Sequence, residues 1–358
     1  MVKVLSVVGA RPNFVKLAGV EPWFSKMFDH VVVHTWQHYD YELSRVFFEH
    51  LDIREPDYYL GVGSGSHGYQ IGEIVKRLEE VLFKERPDLV VVYGDTNSTL
   101  AGALAAVKAG FRVAHVEAGL RSFDMSMPEE VNRRVTDHVS YLLFAPTENA
   151  VRNLKRENVL GKIYLTGDVH VDVLNRWMPI VDKRSRILDL LDVVPGEYIV
   201  VTVHRAENTD NPVNLGNIVK ALLNIPYRIV FPVHPRTRNA LGRMGLLRKL
   251  EESENIVLTK PLGYIDFIKM VKHSWKVITD SGGVQREAYL LGIPCIVLRD
   301  RTEWVELVEA GWVKLVGTDP DKIVKSVEEF GPKESKPGLL GDGRAGERIA
   351  SIIKSEIS

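Results

Sequence analysis

Short apolar runs recur along the chain, and each is followed by a small polar turn and a pattern typical of a helix. In the first half these runs are Val2–Val8, Val31–Thr35, Leu89–Tyr93, Arg112–Val116, Tyr141–Ala145 and Ile163–Thr166. In the second half they are Tyr198–Val203, Arg228–Val233, Asn255–Leu258, Lys276–Thr279 and Cys295–Leu298. Continuous apolar runs indicate strands buried on both faces of a parallel sheet. The pattern therefore predicts two α/β series in which strands and helices alternate.

The pattern loosens between the two series, from about Asn175 to Pro195, which we interpret as a linker with a short charged helical stretch. A chain of 358 residues is also too long for one ordinary core. We therefore predict an N-terminal Rossmann-like domain over 1–175 and a C-terminal Rossmann-like domain over 176–343, facing each other across a cleft. Residues 344–358 form a separate closing helix in this prediction.

Composition narrows the class of protein. Lys and Arg number 46 against 47 Asp and Glu, so no overall charge attracts nucleic acid or an anionic membrane. Cys295 is the only cysteine and lies in an apolar run, which predicts a buried, inert thiol and excludes an intrachain disulfide. Because no stretch approaches ~18 apolar residues and no signal-peptide pattern opens the chain, we expect a cytoplasmic protein.

The turn Ser281-Gly282-Gly283 is the clearest candidate for a binding element. It joins a strand to a helical pattern, so free backbone N–H groups and the helix dipole favour an anion there. The two glycines carry no Cβ, which lets a diphosphate approach the backbone. Glu287, one helical turn further on, is placed to accept hydrogen bonds from ribose hydroxyls. From the turn alone, a glycine-rich connection that binds nothing is an equally good interpretation.

Two carboxylates follow successive strands of the first series. Asp95 follows Leu89–Tyr93 and Glu117 follows Arg112–Val116, so both are expected at the edge of the sheet where ligands bind in open α/β folds. Carboxylates at strand ends are typical of an acid/base pair in this architecture. Glu130 opens a later helix and is a weaker candidate, because a first-turn acid is also explained by the helix dipole.

Basic residues lie at two further strand ends. Arg11 and Lys16 begin the helix after the first strand and are placed to hold a phosphate or a sugar, although solvated surface charge is an alternative. His204 follows Tyr198–Val203. The chain has no Cys/His zinc spacing, no phosphate-binding P-loop motif and no nucleophile elbow. We therefore expect no metal and no redox cofactor.

Taken together, these motifs resemble the non-hydrolysing UDP-N-acetylglucosamine 2-epimerases. The matches are Gly9-Ala10-Arg11-Pro12 with Lys16, Gln37-His38, Gly94-Asp95-Thr96, His115–Arg121, Pro128–Arg133, His204-Arg205, Thr279–Gly283 and Gly341-Asp342-Gly343. The resemblance implies a glycosyltransferase-B fold, with UDP held mainly by the second domain and the closing helix crossing back to the first. It also implies a homodimer that binds a UDP-sugar.

The resemblance implies roles for individual residues. Those that face the substrate would be Arg11, Lys16, Asp95, Glu117 and His204. Ser281, Gly282 and Gly283 would hold the diphosphate, Glu287 the ribose, and Leu262 and Phe267 the uracil. We take the catalytic candidates to be Asp95, Glu117, Glu130 and His204.

The implied reaction is reversible C2 epimerisation of UDP-N-acetylglucosamine to UDP-N-acetylmannosamine, which supplies cell-surface polysaccharide synthesis. No carbonyl activates the C2 proton, so UDP would leave to give a 2-acetamidoglucal and then add back. Positive groups must stabilise the departing diphosphate. A base and an acid must also act on opposite faces of C2, and the sequence does not say which carboxylate serves which face.

One segment departs from the family pattern. The chain reads Thr302-Glu303-Trp304-Val305-Glu306 where the family often has an arginine at the position of Trp304, and Arg299 and Arg301 are candidates to compensate. This segment is closer to epimerases of UDP-2,3-diacetamido uronic acids. That substrate, a glycosyltransferase activity, a hydrolysing epimerase and a non-catalytic UDP-sugar-binding regulator are the alternatives.

Overall fold

The structure is a computed structural model that describes residues 1–35 and 51–357. The Gln37-His38 motif lies outside the described residues. Two compact units divide the chain: unit 1 consists of Met1–Arg176 and Gly338–Ser358, and unit 2 of Trp177–Pro337. Among the helices of the described residues, none combines the length and apolar character needed to span a bilayer.

The strands of unit 1 are β1 (Lys3–Val8), β2 (Asp29–His34), β3 (Tyr58–Tyr59), β4 (Leu89–Tyr93), β5 (Val113–Val116), β6 (Leu142–Ala145) and β7 (Lys162–Leu165). Those of unit 2 are β8 (Tyr198–Thr202), β9 (Arg228–Pro232), β10 (Ile256–Thr259), β11 (Lys276–Thr279), β12 (Cys295–Val297) and β13 (Val313–Leu315). Each unit has one sheet, and every neighbouring pair of these strands is parallel.

The helices of the described residues are, in chain order, α1 (Arg11–Met27), α2 (His67–Glu85), α3 (Asn97–Lys108), α4 (Pro128–Val139), α5 (Glu148–Arg156), α6 (Val169–Arg184), α7 (Ile187–Leu191), α8 (Ala206–Thr209), α9 (Pro212–Asn224), α10 (Pro235–Arg243), α11 (Leu247–Glu251), α12 (Tyr264–Lys272), α13 (Gly282–Leu291), α14 (Val305–Glu309), α15 (Pro320–Glu329) and α16 (Ala345–Ile357).

Both sheets are doubly wound. The strand order is β3-β2-β1-β4-β5-β6-β7 in unit 1 and β10-β9-β8-β11-β12-β13 in unit 2. The order reverses beside β1 and β4 in unit 1 and beside β8 and β11 in unit 2. In open α/β sheets such a switch point opens a crevice at the carboxyl ends of the strands. The predicted fold class, two α/β units with parallel sheets, is confirmed.

The structure differs from the sequence prediction at two edge strands and at the linker. β3 has two residues and β13 has three, with Lys314 at its centre, so neither formed a recognisable apolar run. The stretch interpreted as a linker instead contains most of α6, which continues through Pro179, and the whole of α7. Arg176 and Trp177, where the two units divide, both lie within α6.

The C-terminal helix α16 belongs to unit 1. It packs on α1 so closely that a Cβ built at Gly346 would lie 2.1 Å from the carbonyl oxygen of Gly19. Its first N–H groups, from Ala345 and Gly346, donate to the carboxylate of Asp172 at 3.1 and 2.9 Å. Burial raises the pKa of Asp172 to about 6, against the lowering effect of these two hydrogen bonds.

Candidate active site

The turn between β1 and α1 is fixed by a buried asparagine. Asn13 Oδ1 accepts hydrogen bonds from the N–H groups of Gly9 and Ala10, each at 3.1 Å. Its side-chain amide donates to the carbonyl of Tyr93, at the end of β4, at 2.7 Å. Asn13 therefore ties together the ends of the two central strands of unit 1. It also fixes the start of α1, which carries Arg11.

A buried ion pair lies beside this turn. Lys16 Nζ is 3.3 Å from Glu117 Oε1, and the two side chains are only 3% and 9% exposed. Gly94 passes over the pair, so a Cβ built there would lie 3.0 Å from Lys16 Nζ and 3.5 Å from Glu117 Oε1. Glu117 itself has φ +74°, a left-handed conformation that is uncommon outside glycine and recurs at functional sites.

Asp95 and Glu130 share one arginine. Arg133 Nη2 donates to Asp95 Oδ2 at 2.6 Å and Arg133 Nη1 to Glu130 Oε2 at 3.2 Å. Glu130 is fully buried and also accepts from Ser122 N at 2.8 Å and Arg134 Nε at 3.1 Å. The side chain of Asp95 is 23% exposed. Asp95 is therefore partly accessible to a ligand. Glu130 is instead enclosed by donors on α4 and on the segment before it.

His115 joins the site from within β5, and sequence reasoning missed it. Its Nε2 is 2.7 Å from the carbonyl oxygen of Gly94, and its Nδ1 is 2.7 Å from Asp137 Oδ1. Burial alone would raise the pKa of Asp137, but the hydrogen bond from His115 and the charge of Arg121 hold that pKa below its usual range. A polar residue inside a buried strand needs hydrogen-bond partners. The position of His115 in an apolar run is therefore the signal that could have identified it.

Two further groups follow β7. Glu117, Asp168 and His170 each offer a ligand-type atom, and these atoms all lie within 4.8 Å of one another. Asp168 and His170 were also missed, although they follow the run Ile163–Thr166 just as Asp95 and Glu117 follow theirs. Carboxylate and imidazole groups at this spacing suit a cation, but the Lys16 ammonium already lies 3.3 Å from Glu117.

In unit 2 a buried carboxylate holds the turn after β8. Asp280 is fully buried and accepts from the N–H groups of His204 and Arg205 at 3.1 and 3.0 Å. It also accepts from the side-chain amide of Asn208 at 3.1 Å. The ring of His204 remains 39% exposed and lies 5.7 Å from the ring of His234, centroid to centroid. Asp280 therefore fixes the backbone that presents His204.

The Ser281–Gly283 turn starts α13 as predicted. Ser281 Oγ accepts from the N–H of Val284 at 3.4 Å and so caps the helix. A Cβ at Gly282 would lie 2.0 Å from Glu303 Oε1, whereas a Cβ at Gly283 would meet only Ser281 Oγ, at 3.8 Å. The backbone is therefore packed at Gly282 and open to a ligand at Gly283. Glu287 lies on the same helix and is 9% exposed.

Comparisons with known proteins identify the family of this chain. A family model described as UDP-N-acetylglucosamine 2-epimerase matches residues 24–354. The chain belongs to the UDP-N-acetylglucosamine 2-epimerase family. The predicted family is therefore confirmed.

Relatives within the 2-epimerase family match this chain almost end to end. One is the UDP-N-acetylglucosamine 2-epimerase homolog of Methanococcus maripaludis, 48% identical over 355 residues and 99% of both chains. Another is the UDP-2,3-diacetamido-2,3-dideoxy-D-glucuronate 2-epimerase of Pseudomonas aeruginosa, 45% identical over 98% of this chain and 99% of the relative. The crystal structure of Methanocaldococcus jannaschii UDP-GlcNAc 2-epimerase with UDP-GlcNAc and UDP has a TM-score of 0.94, at 43% identity and 99% coverage of each chain.

The predicted 2-epimerase site residues divide between the two units. Unit 1 holds Arg11, Lys16, Asp95, Glu117 and Glu130, and unit 2 holds His204, Leu262, Phe267, Ser281, Gly282, Gly283 and Glu287. Leu262 precedes α12 and Phe267 lies on it, and both are half-buried. Their individual roles stay predictions.

A buried indole stands at the position where the family resemblance implies an arginine. Trp304 is 2% exposed, and the guanidinium of Arg286 lies over its ring, 4.8 Å from the centroid. Arg299 pairs with Glu303 at 3.1 Å and with Glu207 at 3.2 Å. A cation therefore stands next to Trp304, and it comes from α13, which sequence reasoning had not considered.

Proposed function

We propose that this chain catalyses reversible C2 epimerisation of UDP-N-acetylglucosamine to UDP-N-acetylmannosamine, without hydrolysis. UDP leaves to form a 2-acetamidoglucal and then adds back with C2 inverted. The observation that carries this proposal is the buried Lys16–Glu117 ion pair next to the Gly94–Asp95 turn, which gives unit 1 two carboxylates in different surroundings. A family member with a closely similar structure was crystallised with UDP-GlcNAc and UDP.

Unit 2 supplies the nucleotide-binding residues in this proposal. Ser281, Gly282 and Gly283 bind the diphosphate through the start of α13, where the open backbone at Gly283 supports a close approach. Glu287 binds the ribose, and Leu262 with Phe267 contacts the uracil. His204 and Arg11 neutralise charge on the departing diphosphate, because negative charge increases there in the transition state.

Unit 1 supplies the proton chemistry. One carboxylate removes the C2 proton as the C1–O bond breaks, and a second acid returns a proton to the other face. We assign these two roles to Asp95 and Glu117, each worth about 10²–10⁴ in rate. Glu130 is the third candidate, and its bonds to Arg133, Arg134 and Ser122 favour a role in holding Arg133 against Asp95.

A UDP-2,3-diacetamido uronic acid is the second candidate substrate. A relative of that activity is 45% identical to this chain over nearly its whole length. The segment Thr302-Glu303-Trp304-Val305-Glu306 supports this alternative, because it resembles epimerases of UDP-2,3-diacetamido uronic acids.

The decisive experiment is incubation of the purified protein with each sugar nucleotide in deuterated water, followed by NMR. Deuterium at C2 of both recovered epimers supports the proposed reaction, and the faster-labelled sugar nucleotide identifies the substrate. Free N-acetylmannosamine would indicate a hydrolysing enzyme. Recovered sugar without label, consumed only when an acceptor is present, would indicate a glycosyltransferase.

We further propose a cytoplasmic homodimer that supplies cell-surface polysaccharide synthesis. The support is the family membership alone. Light scattering on the purified protein checks the dimer, and fractionation of the source cells checks the location.

A further inference from the structure

The segment between β5 and α4 carries an exposed aromatic side chain that the proposed reaction, as written above, leaves without a role. Phe123 lies in this segment and is 50% exposed. Segments that follow the carboxyl ends of parallel strands lie at the ligand-binding edge of an open α/β sheet. Phe123 therefore stands on the same edge of unit 1 as Asp95 and Glu117. A single exposed apolar residue is ordinary on a protein surface, so this position alone indicates no function.

The backbone conformation of Phe123 sets it apart from an ordinary surface residue. Its φ is +58°, in the left-handed region that is unfavourable for a bulky side chain, and Glu117 in the same segment has φ +74°. Each of the remaining non-glycine residues with positive φ in the described part of the chain follows a helical residue by one or two positions, where this conformation is common. They are Asp52, Arg86, Asn158 and Asp192. Away from helix ends, the described residues thus show this strain only between β5 and α4, where one of the two strained residues is assigned to proton transfer.

Hydrogen bonds on both sides of Phe123 hold this strained backbone in place. The N–H and hydroxyl of Ser122 donate to Glu130 Oε2 at 2.8 and 3.0 Å. Asp124 Oδ1 accepts from the N–H and hydroxyl of Ser126 at 3.0 and 2.6 Å, and the Asp124 carbonyl accepts from the N–H of Met127 at 3.1 Å. A sparsely populated conformation persists where the surrounding contacts determine it, and such positions cluster at functional sites.

The buried Glu130 carboxylate connects the ring of Phe123 with Asp95. Glu130 Oε1 accepts from Arg134 Nε at 3.1 Å, and the guanidinium of Arg134 lies over the Phe123 ring, 5.9 Å from its centroid. Glu130 Oε2 accepts from Arg133 Nη1 at 3.2 Å, while Arg133 Nη2 donates to Asp95 Oδ2 at 2.6 Å. One carboxylate therefore positions both the arginine that contacts the ring and the arginine that contacts Asp95.

The proposed intermediate needs a contact of this kind. Once UDP has left, 2-acetamidoglucal carries no charge and is no longer joined to the diphosphate that unit 2 binds. Its C1–C2 double bond flattens part of the sugar ring, which offers an apolar face to an aromatic side chain. Retention of this molecule beside the carboxylates of unit 1 then depends on contacts that require no charge on the ligand.

We infer that Phe123 is a substrate-contact residue that packs on 2-acetamidoglucal and retains it until UDP adds back; the inference rests on the proposed function. The ring binds the apolar face of the intermediate and shields that face from water. The contacts of Arg134, Glu130 and Arg133 place the ring relative to Asp95. The left-handed backbone keeps the ring on this edge of the sheet, which explains why a bulky residue occupies a conformation that glycine would adopt more readily.

The test uses Phe123→Gly, which removes the ring and relaxes the backbone at the same time. Because glycine adopts φ +58° without strain, the urea midpoint of this variant should equal or exceed that of wild type. The matched control is Arg86→Gly. Arg86 has φ +47° and is exposed, and it lies just before β4, at the opposite edge of the sheet. The control should show wild-type rates and wild-type release of glucal.

The measurement is the fraction of turnovers that end in free 2-acetamidoglucal and UDP, followed by NMR together with epimerisation. In Phe123→Gly we expect this fraction to rise, and kcat/KM for epimerisation to fall, by about 2- to 10-fold, as for the loss of one aromatic contact. The Kd for UDP should stay within about twofold of wild type. Phe123→Leu retains an apolar side chain, so its glucal release should fall between the values of wild type and Phe123→Gly.

Two results would overturn this inference alone. One is wild-type glucal release with unchanged kcat/KM in Phe123→Gly. The other is a lower urea midpoint, or loss of an oligomer in light scattering, without increased glucal release, because the ring would then serve packing or a contact between copies. A wild type that places no deuterium at C2 would overturn the proposed function and this inference with it.

Discussion

In unit 1 the acids that follow β4 and β5 contact side-chain cations, whereas in unit 2 the acid that follows β11 contacts mainly N–H groups. Asp95 pairs with Arg133 at 2.6 Å and Glu117 with Lys16 at 3.3 Å. Asp280 instead accepts from the backbone of His204 and Arg205. The first six strands of unit 1 have the same order as the six strands of unit 2, so this difference comes from the residues at the strand ends.

The difference indicates what each edge can do. A carboxylate held by two backbone N–H groups and an amide is fixed in place and serves to shape a turn. A carboxylate held by the end of a lysine or arginine side chain can exchange that partner for a substrate atom. We therefore assign proton transfer to the edge of unit 1 and anion binding to the edge of unit 2. The following variants test that assignment.

The largest effect should come from Glu117→Gln. Loss of the carboxylate should lower kcat by about 10²–10⁴-fold, because the variant has no base at this position. Calorimetric titration should give a Kd for UDP within a few-fold of wild type, since the residues proposed to bind the nucleotide do not include Glu117. Asp95→Asn should behave in the same way. Near-normal turnover in either variant would remove that carboxylate from the chemistry.

Asp280→Asn should affect binding and stability. The N–H₂ group of an asparagine would face the N–H groups of His204 and Arg205 that now donate to Asp280. We therefore expect the free energy of unfolding to fall by about 2–3 kcal/mol. The Kd for UDP should rise as the turn of His204 loosens. Asp319→Asn is the matched control, because Asp319 caps α15 and asparagine caps a helix equally well. Equal urea midpoints for the two variants would contradict an anchoring role.

Glu130→Gln separates support from catalysis within unit 1. If Glu130 mainly holds Arg133, the variant should lose about 1–2 kcal/mol of unfolding free energy and less than about 10-fold in kcat. Its half-buried neighbour supplies the control, Glu129→Gln. A drop in kcat as large as that of Glu117→Gln, with unchanged stability, would restore Glu130 as an acid/base residue.

The smallest effect should come from Asp172. This residue tests whether hydrogen bonds from backbone N–H groups offset the cost of burying a carboxylate in unit 1, as they do for Asp280 in unit 2. Its pKa is raised to about 6, so the folded state binds its proton more tightly than the unfolded state. Stability is then favoured at low pH and lost as the pH rises through 6. Between pH 5 and pH 7, urea unfolding should show that the free energy of unfolding of the wild type falls by about 1 kcal/mol more than that of Asp172→Asn. The opposite sign would show that the donors of Ala345 and Gly346 outweigh burial.

Sequence patterns were sufficient where a residue's role depends on its position along a strand or helix. Local patterns predicted the strands β1, β2 and β4 to β12, the turn at Ser281 and the strand-end positions of Asp95 and Glu117. His115, Arg133 and His170 did not, because their importance comes from partners distant in sequence: Gly94, Asp95 and Glu117. The edge strand β13 was missed because a three-residue run with a central lysine carries little signal.

The closing segment of unit 1 has a consequence for biosynthesis. Leu340, Ala345 and Gly346, which hold the residues at Asp168 and Asp172, leave the ribosome only after the whole of unit 2. Unit 2 is continuous in sequence, so it is able to fold while the chain that completes unit 1 is still being translated. A nascent chain that stops before Gly338 would therefore contain the whole of unit 2 but an unfinished unit 1.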